Sequence, residues 1–266
     1  MKTTRIALSV AAIILFSFLV VPSVAVRATN CITVSAVNPS NPSLTAAVVA
    51  TSGTTITGNI DASTCDVGVF VPNTVSDVTI SATIHDANQY GVFADGGVSG
   101  QPNATDVFVT GSTIFNVGNH NNGVFSPNGV QTGIGIYFSN GVTGSISGNT
   151  IYNYQKGGIV VFDFTGSVTD NTVTGLGPVK FIAQNGIQLG YPEQGRYFPA
   201  SNVVNVAGNV VTGNIYTEGG TAGGVPYVST GILVYASSGP VGELQSSIQT
   251  TNEVSQNQAD VVVSVA

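Results

Sequence analysis

Lys156, Lys180 and Arg196 are the side chains of this sequence best suited to acid–base chemistry on an acidic sugar. Eliminating a uronate requires a base for the α-proton and a cation to neutralise the adjacent carboxylate. Lys156 is the best placed of the three, because it projects from a column of amides. Glu193 and Arg196 share the segment 191–197 (YPEQGRY) and offer an acid and a cation to the rim of a site, or a plain surface ion pair.

That column emerges when the glycine-led aliphatic runs are aligned on Val69, Val92, Ile134, Ile159, Ile187 and Ile232. Three residues upstream stand Asp66, Gln89, Gln131, Lys156, Gln184 and Ser229. Glycines 68, 91, 133, 158, 186 and 231 follow, and Gln188 occupies the next outward position of its run. The outermost position carries Tyr137, Phe162 and Tyr235. Stacked about 4.8 Å apart, these positions describe a glycine floor with an amide and lysine wall on one side and aromatic rings on the other. Rings beside amide donors suit a sugar, which has CH faces and hydroxyl edges. Gln131, Tyr137, Phe162, Gln184, Gln188 and Tyr235 are the expected ligand-binding residues, with Tyr191 on an insertion at the rim. The competing reading is a stabilising ladder in which glycine serves tight turns and glutamine binds nothing.

The elements that must hold such columns are short strands with a fixed corner. Ile146-Ser-Gly-Asn149-Thr-Ile151 recurs as Val168-Thr-Asp-Asn171-Thr-Val173, its asparagines 22 residues apart. The corner also appears before Ile84, Ile114, Val211 and Val254. Regular return of one supersecondary unit is the mark of a solenoid. Another aliphatic lies five residues before the closing one at Val109, Ile146, Val168 and Val206. An odd separation puts both on one face only if the chain bends between them, and Asn and Gly tolerate the left-handed backbone this needs. The asparagines are therefore read as structural. Residues 115–131, 175–183, 190–202 and 213–228 read as insertions between repeats, where function tends to gather. Leu44–Ala50, after a plausible Ser43 cap, is expected to be a short helix closing the N-terminal end. An antiparallel sandwich would also use short strands, but it does not explain one corner returning in one register.

Residues 1–25 have a positive start, an apolar run from Ile6 to Val21 and a small-x-Ala site at Ser23–Ala25, and read as a secretory signal. The run is short for a retained membrane anchor, and no later segment is apolar enough to span. The expected domains are signal 1–25, lead-in and lid 26–53, and coil 54–266. Beyond residue 25 the chain has 4 basic and 13 acidic side chains, a net charge of −9. That balance argues against nucleic acid as a partner. Cys31 and Cys65 are the only cysteines, and an oxidising compartment predicts their disulfide. His85 and His120 lie in different repeats and suggest no metal centre. Ca²⁺ held by scattered acids has no motif behind it. The closing run 259–266 is an apolar strand whose bare edge invites end-to-end self-association.

The lid, the Gly-Ile strand, the Gly-Asn-Thr-Ile corner and the secretory context together resemble the right-handed parallel β-helix proteins of the pectate-lyase-like superfamily, over about residues 44–262. The closest likeness is to secreted members without assigned activity. The resemblance implies an all-β fold, a single-stranded right-handed parallel β-helix with a short N-terminal capping helix. Its implied task is binding or processing extracellular polysaccharide, lyase-like where catalytic, with a non-catalytic cell-surface or matrix scaffold as the alternative. The sequence departs from both named activities. It lacks the Asp-Asp, Asn-Thr-Asp, Gly-His-Gly and Arg-Ile-Lys strings of polygalacturonases and the Arg-x-Pro-x-x-Arg string of pectate lyases.

Overall fold

Thr, Val and Ile runs broken by Gly and Asn form strands here because each lies beside the equivalent run of the next repeat. The structure is a computed structural model that describes residues 26–27, 30–36, 43–97, 102–139, 141–190, 204–222, 225–236, 245 and 248–265. The expected signal segment, and Tyr191, Glu193 and Arg196 with their loop, lie outside the described residues.

Each repeat contributes to three parallel ladders. One repeat reads Thr143–Ser147, Thr150–Tyr154 and Gly157–Val161, and the next reads Thr165–Thr169, Thr172–Val179 and Asn185–Leu189. The first members pair Ile146 with Val168, the second Ile151 with Val173, and the third Ile159 with Ile187. Two ladders merge into one twelve-stranded sheet because Ser76–His85 runs through the corner unbroken, pairing with both Thr105–Thr110 and Thr113–Val117. The third ladder is a nine-stranded sheet with Ala259–Val265 at one end of its order. The exceptions are antiparallel. Ile32–Val34 pairs with Leu44–Val49, and two small hairpins join His120–Asn121 to Val124–Phe125 and Thr221–Ala222 to Val225–Pro226.

The corner behaves as the sequence implies. Val109, Ile146, Val168, Ile114, Ile151 and Val173 all lie in the buried core, on both sides of the bend. The bend sits one residue before the asparagine at Gly148, Asp170 and Gly208, and before Ser112 at Gly111, all with positive φ. Asn149, Asn171 and Asn209 are buried and form a ladder. The backbone N–H of Asn149 donates to Asn171 Oδ1 at 3.0 Å, and its Nδ2 donates to the same oxygen at 2.9 Å. Asn171 repeats both contacts with Asn209, and Asn209 with Asn252. Each side chain thus satisfies backbone groups the bend takes out of the strand ladders.

Two expectations are corrected. Leu44–Val49 is a strand and not a lid helix, with Ala46 opposite Val67 and Val48 opposite Val69. A six-residue run containing Thr45, Val48 and Val49 has little helix propensity to oppose pairing on both edges. The glycine column is also misread. A Cβ on Gly91 would stand 2.5 Å from both the carbonyl oxygen of Gly135 and Cγ2 of Ile114, a core side chain. Gly68, Gly135, Gly158, Gly186 and Gly231 meet the same two obstacles, so these glycines are required by the tight passage between rungs and form no floor for a ligand.

Cys31 and Cys65 are bonded to each other, with a sequence separation of 34. The chain-entropy model gives a loop of that length about 4 kcal/mol of stabilisation, so reduction is expected to lower the urea midpoint by a corresponding amount. Gly158→Ala, which sets a methyl group 2.6 Å from the Gly186 carbonyl, is expected to cost about 3 kcal/mol, the upper end of overpacking penalties. An unshifted denaturation midpoint would remove the crowding argument.

Candidate functional site

The alignment that defined the outward columns slips by two residues at one rung. Ile136, not Ile134, pairs with Val92 and Ile159, so the glycine of this rung is Gly135 and the residue beside Lys156 is Gly133. Lys156 N–H donates to the Gly133 carbonyl at 2.8 Å. Tyr137 therefore stacks in register with Phe93 and Val160, not in one column with Phe162.

The outward face of this ladder also differs from the expected open wall. Tyr137 and Phe162 are 3% and 6% exposed and belong to a second apolar cluster with Phe70, Tyr90, Phe93 and Val160. Their rings meet edge to face at 5.4 Å, and Tyr137 stacks on Tyr90 at 5.1 Å. Gln184 is fully buried, its Nε2 donating to the Tyr154 carbonyl at 2.6 Å and its Oε1 accepting from Leu176 N–H at 3.1 Å. Gln188 accepts from Asn185 Nδ2 at 2.7 Å, and Tyr235 is half-buried on Thr230–Ala236, opposite Ser264. Lys180 lies on the surface, 3.5 Å from Glu218 with both side chains well exposed, a pair worth little in water.

Lys156 and Gln131 do come together, in a cleft of about 270 Å³ lined by Phe181, Ile182, Ala183, Tyr216 and Tyr227. That volume lies just below the range of small-ligand pockets, about 300–1,000 Å³. Three insertions converge on it. Gln131 ends one, residues 181–183 belong to the second, and Tyr216 and Tyr227 come from the third. The first insertion is held by Gln155, which is fully buried. Its Oε1 accepts from Asn119 and Asn128 N–H at 3.1 and 2.9 Å, and its Nε2 donates to the Val130 carbonyl at 2.7 Å. Tyr216 OH donates to the Gly219 carbonyl at 3.2 Å, and Tyr227 is 48% exposed at the mouth. Tyr227 lies in an insertion with no repeat position to mark it, and Tyr216 ends the strand Val210–Tyr216 opposite Val179, outside the aligned columns.

Lys156 Nζ donates to the Ala183 carbonyl at 2.8 Å, and no ion pair involves it among the described residues. Loss of hydration pushes its amine down to about 8. The cleft thus offers an amine that shares its proton near neutral pH, a neighbouring amide and two phenol rings. Such a set can hold a hydroxylated ligand and take or give one proton.

No family model, no curated protein and no solved structure matches this chain.

The amine titrates at about 8 when folded against an ordinary 10.5. Between those values the unfolded chain binds the extra proton, so this group makes the protein more stable as pH rises through the window and contributes nothing further below it. The gain is at most about 3 kcal/mol, less where water reaches the cleft. Urea unfolding at pH 7.5 and pH 10 is expected to show that rise in the parent protein, and a smaller one in Lys156→Met. Equal pH dependence in both would show that the amine is not desolvated.

Proposed function

We propose that this chain is a secreted right-handed parallel β-helix protein that binds or processes extracellular polysaccharide at the Lys156 cleft. In-register parallel ladders that advance one repeat per rung support the coil, and the strong preference of parallel crossovers for one hand supports its handedness. The Cys31–Cys65 bond is consistent with an extracellular setting. The observation that carries the function is a half-buried lysine, its amine pushed down to about 8, facing a cleft that also holds Gln131, Tyr216 and Tyr227.

Such a lysine is furnished for elimination. With its amine at about 8, about a tenth is neutral at pH 7 and can accept the α-proton of a uronate. The proton passes to Nζ, the C–H electrons form the ring double bond as the C–O bond to the second sugar breaks, and the departing oxygen takes a proton from water. Tyr227 at the mouth can stack on a sugar face, and Gln131 can bond its hydroxyls.

The rival is a non-catalytic cell-surface or matrix scaffold, and one observation favours it. Gln184, Tyr137 and Phe162 are committed to contacts within the protein, which leaves the cleft as the one expected sugar-facing feature on which Gln131 and Lys156 agree.

The two readings separate when the mature protein is incubated with uronate polymers and with neutral polysaccharides. The enzyme produces ultraviolet absorbance of unsaturated product that grows towards pH 8 and falls at least about a hundredfold in Lys156→Ala. A binding protein shows electrophoretic retardation without absorbance, weakened by Tyr227→Ala. Neither signal with any polymer would leave the scaffold.

A further inference from the structure

The two histidines of the sequence stand in different repeats, 35 positions apart, yet the fold brings both to one carboxylate. Asp86 follows the strand Ser76–His85 in a left-handed backbone conformation, φ 62°, which turns its side chain back along the corner. Its Oδ2 lies 2.7 Å from His85 Nδ1, and its Oδ1 lies 3.5 Å from His120 Nε2. Asp61 is the rung partner of His85. The ligand atoms of Asp61, His85 and Asp86 all lie within 4.8 Å of one another.

His120 supplies the independent sign of a ligand. Its side chain is 4% exposed, and neither ring nitrogen has a hydrogen-bond partner among the described residues. Leaving a buried donor and acceptor unmet costs about 1–3 kcal/mol per group, so such a ring calls for a partner. Its distance from Asp86 Oδ1, 3.5 Å, is long for a hydrogen bond. It matches two ligands of one tetrahedral ion, which stand about 3.3–3.5 Å apart when each bond is about 2.0–2.2 Å. Asn116 Nδ2 donates to the same Asp86 oxygen at 3.0 Å, and His85 stacks on Phe115 at 5.2 Å. These contacts orient the ligands from the neighbouring rung, as outer partners of metal sites do.

We propose that Asp61, His85, Asp86 and His120 bind one divalent transition cation of the zinc type. Two imidazoles with carboxylates match that ion, whereas Ca²⁺ takes oxygen ligands. The ion would fasten the hairpin of His120 and Phe125 to the coil corner, and so steady the insertion that ends at Gln131. This inference does not depend on the polysaccharide reading.

Calorimetric titration of chelator-treated protein carrying no polyhistidine tag tests it. Zn²⁺ is expected to bind with one equivalent and raise the melting temperature, and Co²⁺ to give the visible absorption of a tetrahedral site. Ca²⁺ should bind at least about tenfold more weakly. His120→Gln and Asp86→Asn should each weaken Zn²⁺ at least about tenfold, while Lys180→Gln leaves it unchanged. If His120→Gln does not fold, the half-buried Asp61→Asn takes its place. No Zn²⁺ heat in the parent protein, binding unaltered by these substitutions, or equal binding of Ca²⁺ would each overturn the site.

Discussion

A chain that turns a corner inside its own core must supply hydrogen bonds to the backbone groups that leave the ladder, and everything else in this fold follows from how that is done. The bend at Gly111, Gly148, Asp170 and Gly208 breaks the strand. Water cannot reach the freed groups, and each unmet one would cost about as much as a lost hydrogen bond. The asparagine of the following rung meets them: Asn171 accepts from the Asn149 N–H and donates to the Ile146 carbonyl, and Asn209 does the same for Asn171 and Val168. Each carboxamide thus bonds to the corner of the rung before it and, through Nδ2, to the oxygen of the rung after it, which ties the repeats into register. The first described rungs manage without it, since Ser76–His85 passes the corner as one strand and Ser112 takes the asparagine's place, donating from Oγ to the Ile80 carbonyl at 3.2 Å.

That constraint also decides what the sequence can reveal. Corner aliphatics and asparagines recur because each rung needs them, and their pairings are the ones the repeats imply, Ile151 with Val173 and Val173 with Val211. The disulfide was readable for a different reason, two cysteines in a chain whose first 25 residues read as a secretory signal. The column registration failed where the sequence is degenerate. Gly133-Ile134-Gly135-Ile136 offers two equivalent starts, and only the carbonyl of Gly135 approaching Gly91 shows which one is used. Leu44–Val49 failed because helix signals are local while strand pairing is not, and its partners at Val67 and Val69 lie in another repeat.

The same logic explains why the repeats proved a poor guide to chemistry. A position that recurs on every rung is under a demand common to every rung, and such a demand is usually packing or hydrogen bonding. Gln184 and the aromatics of the third ladder recur and are consumed internally. Tyr154, fully buried, donates to Asn214 Oδ1 at 2.6 Å, and burial pushes its hydroxyl up while that hydrogen bond partly opposes the shift. Residues free to meet a ligand are those the coil does not use. Tyr227 belongs to an insertion, Tyr216 ends the strand that leads into it, and His120 lies on another.

Lys156 is the exception that links the two kinds of position. It occupies a recurring place, between Gly133 and Asn185, and its backbone makes the same rung contacts as its neighbours. Its side chain, however, replaces the short or amide groups of the column with an amine whose only described protein partner is the Ala183 carbonyl. Putting a cation where the fold needs only a backbone costs hydration, and no carboxylate among the described residues repays it. Gln155, the residue before it, fixes the insertion that brings Gln131 to the same cleft. One adjacent pair therefore does both jobs, with Gln155 holding the loop in place and Lys156 facing the space that the loop encloses.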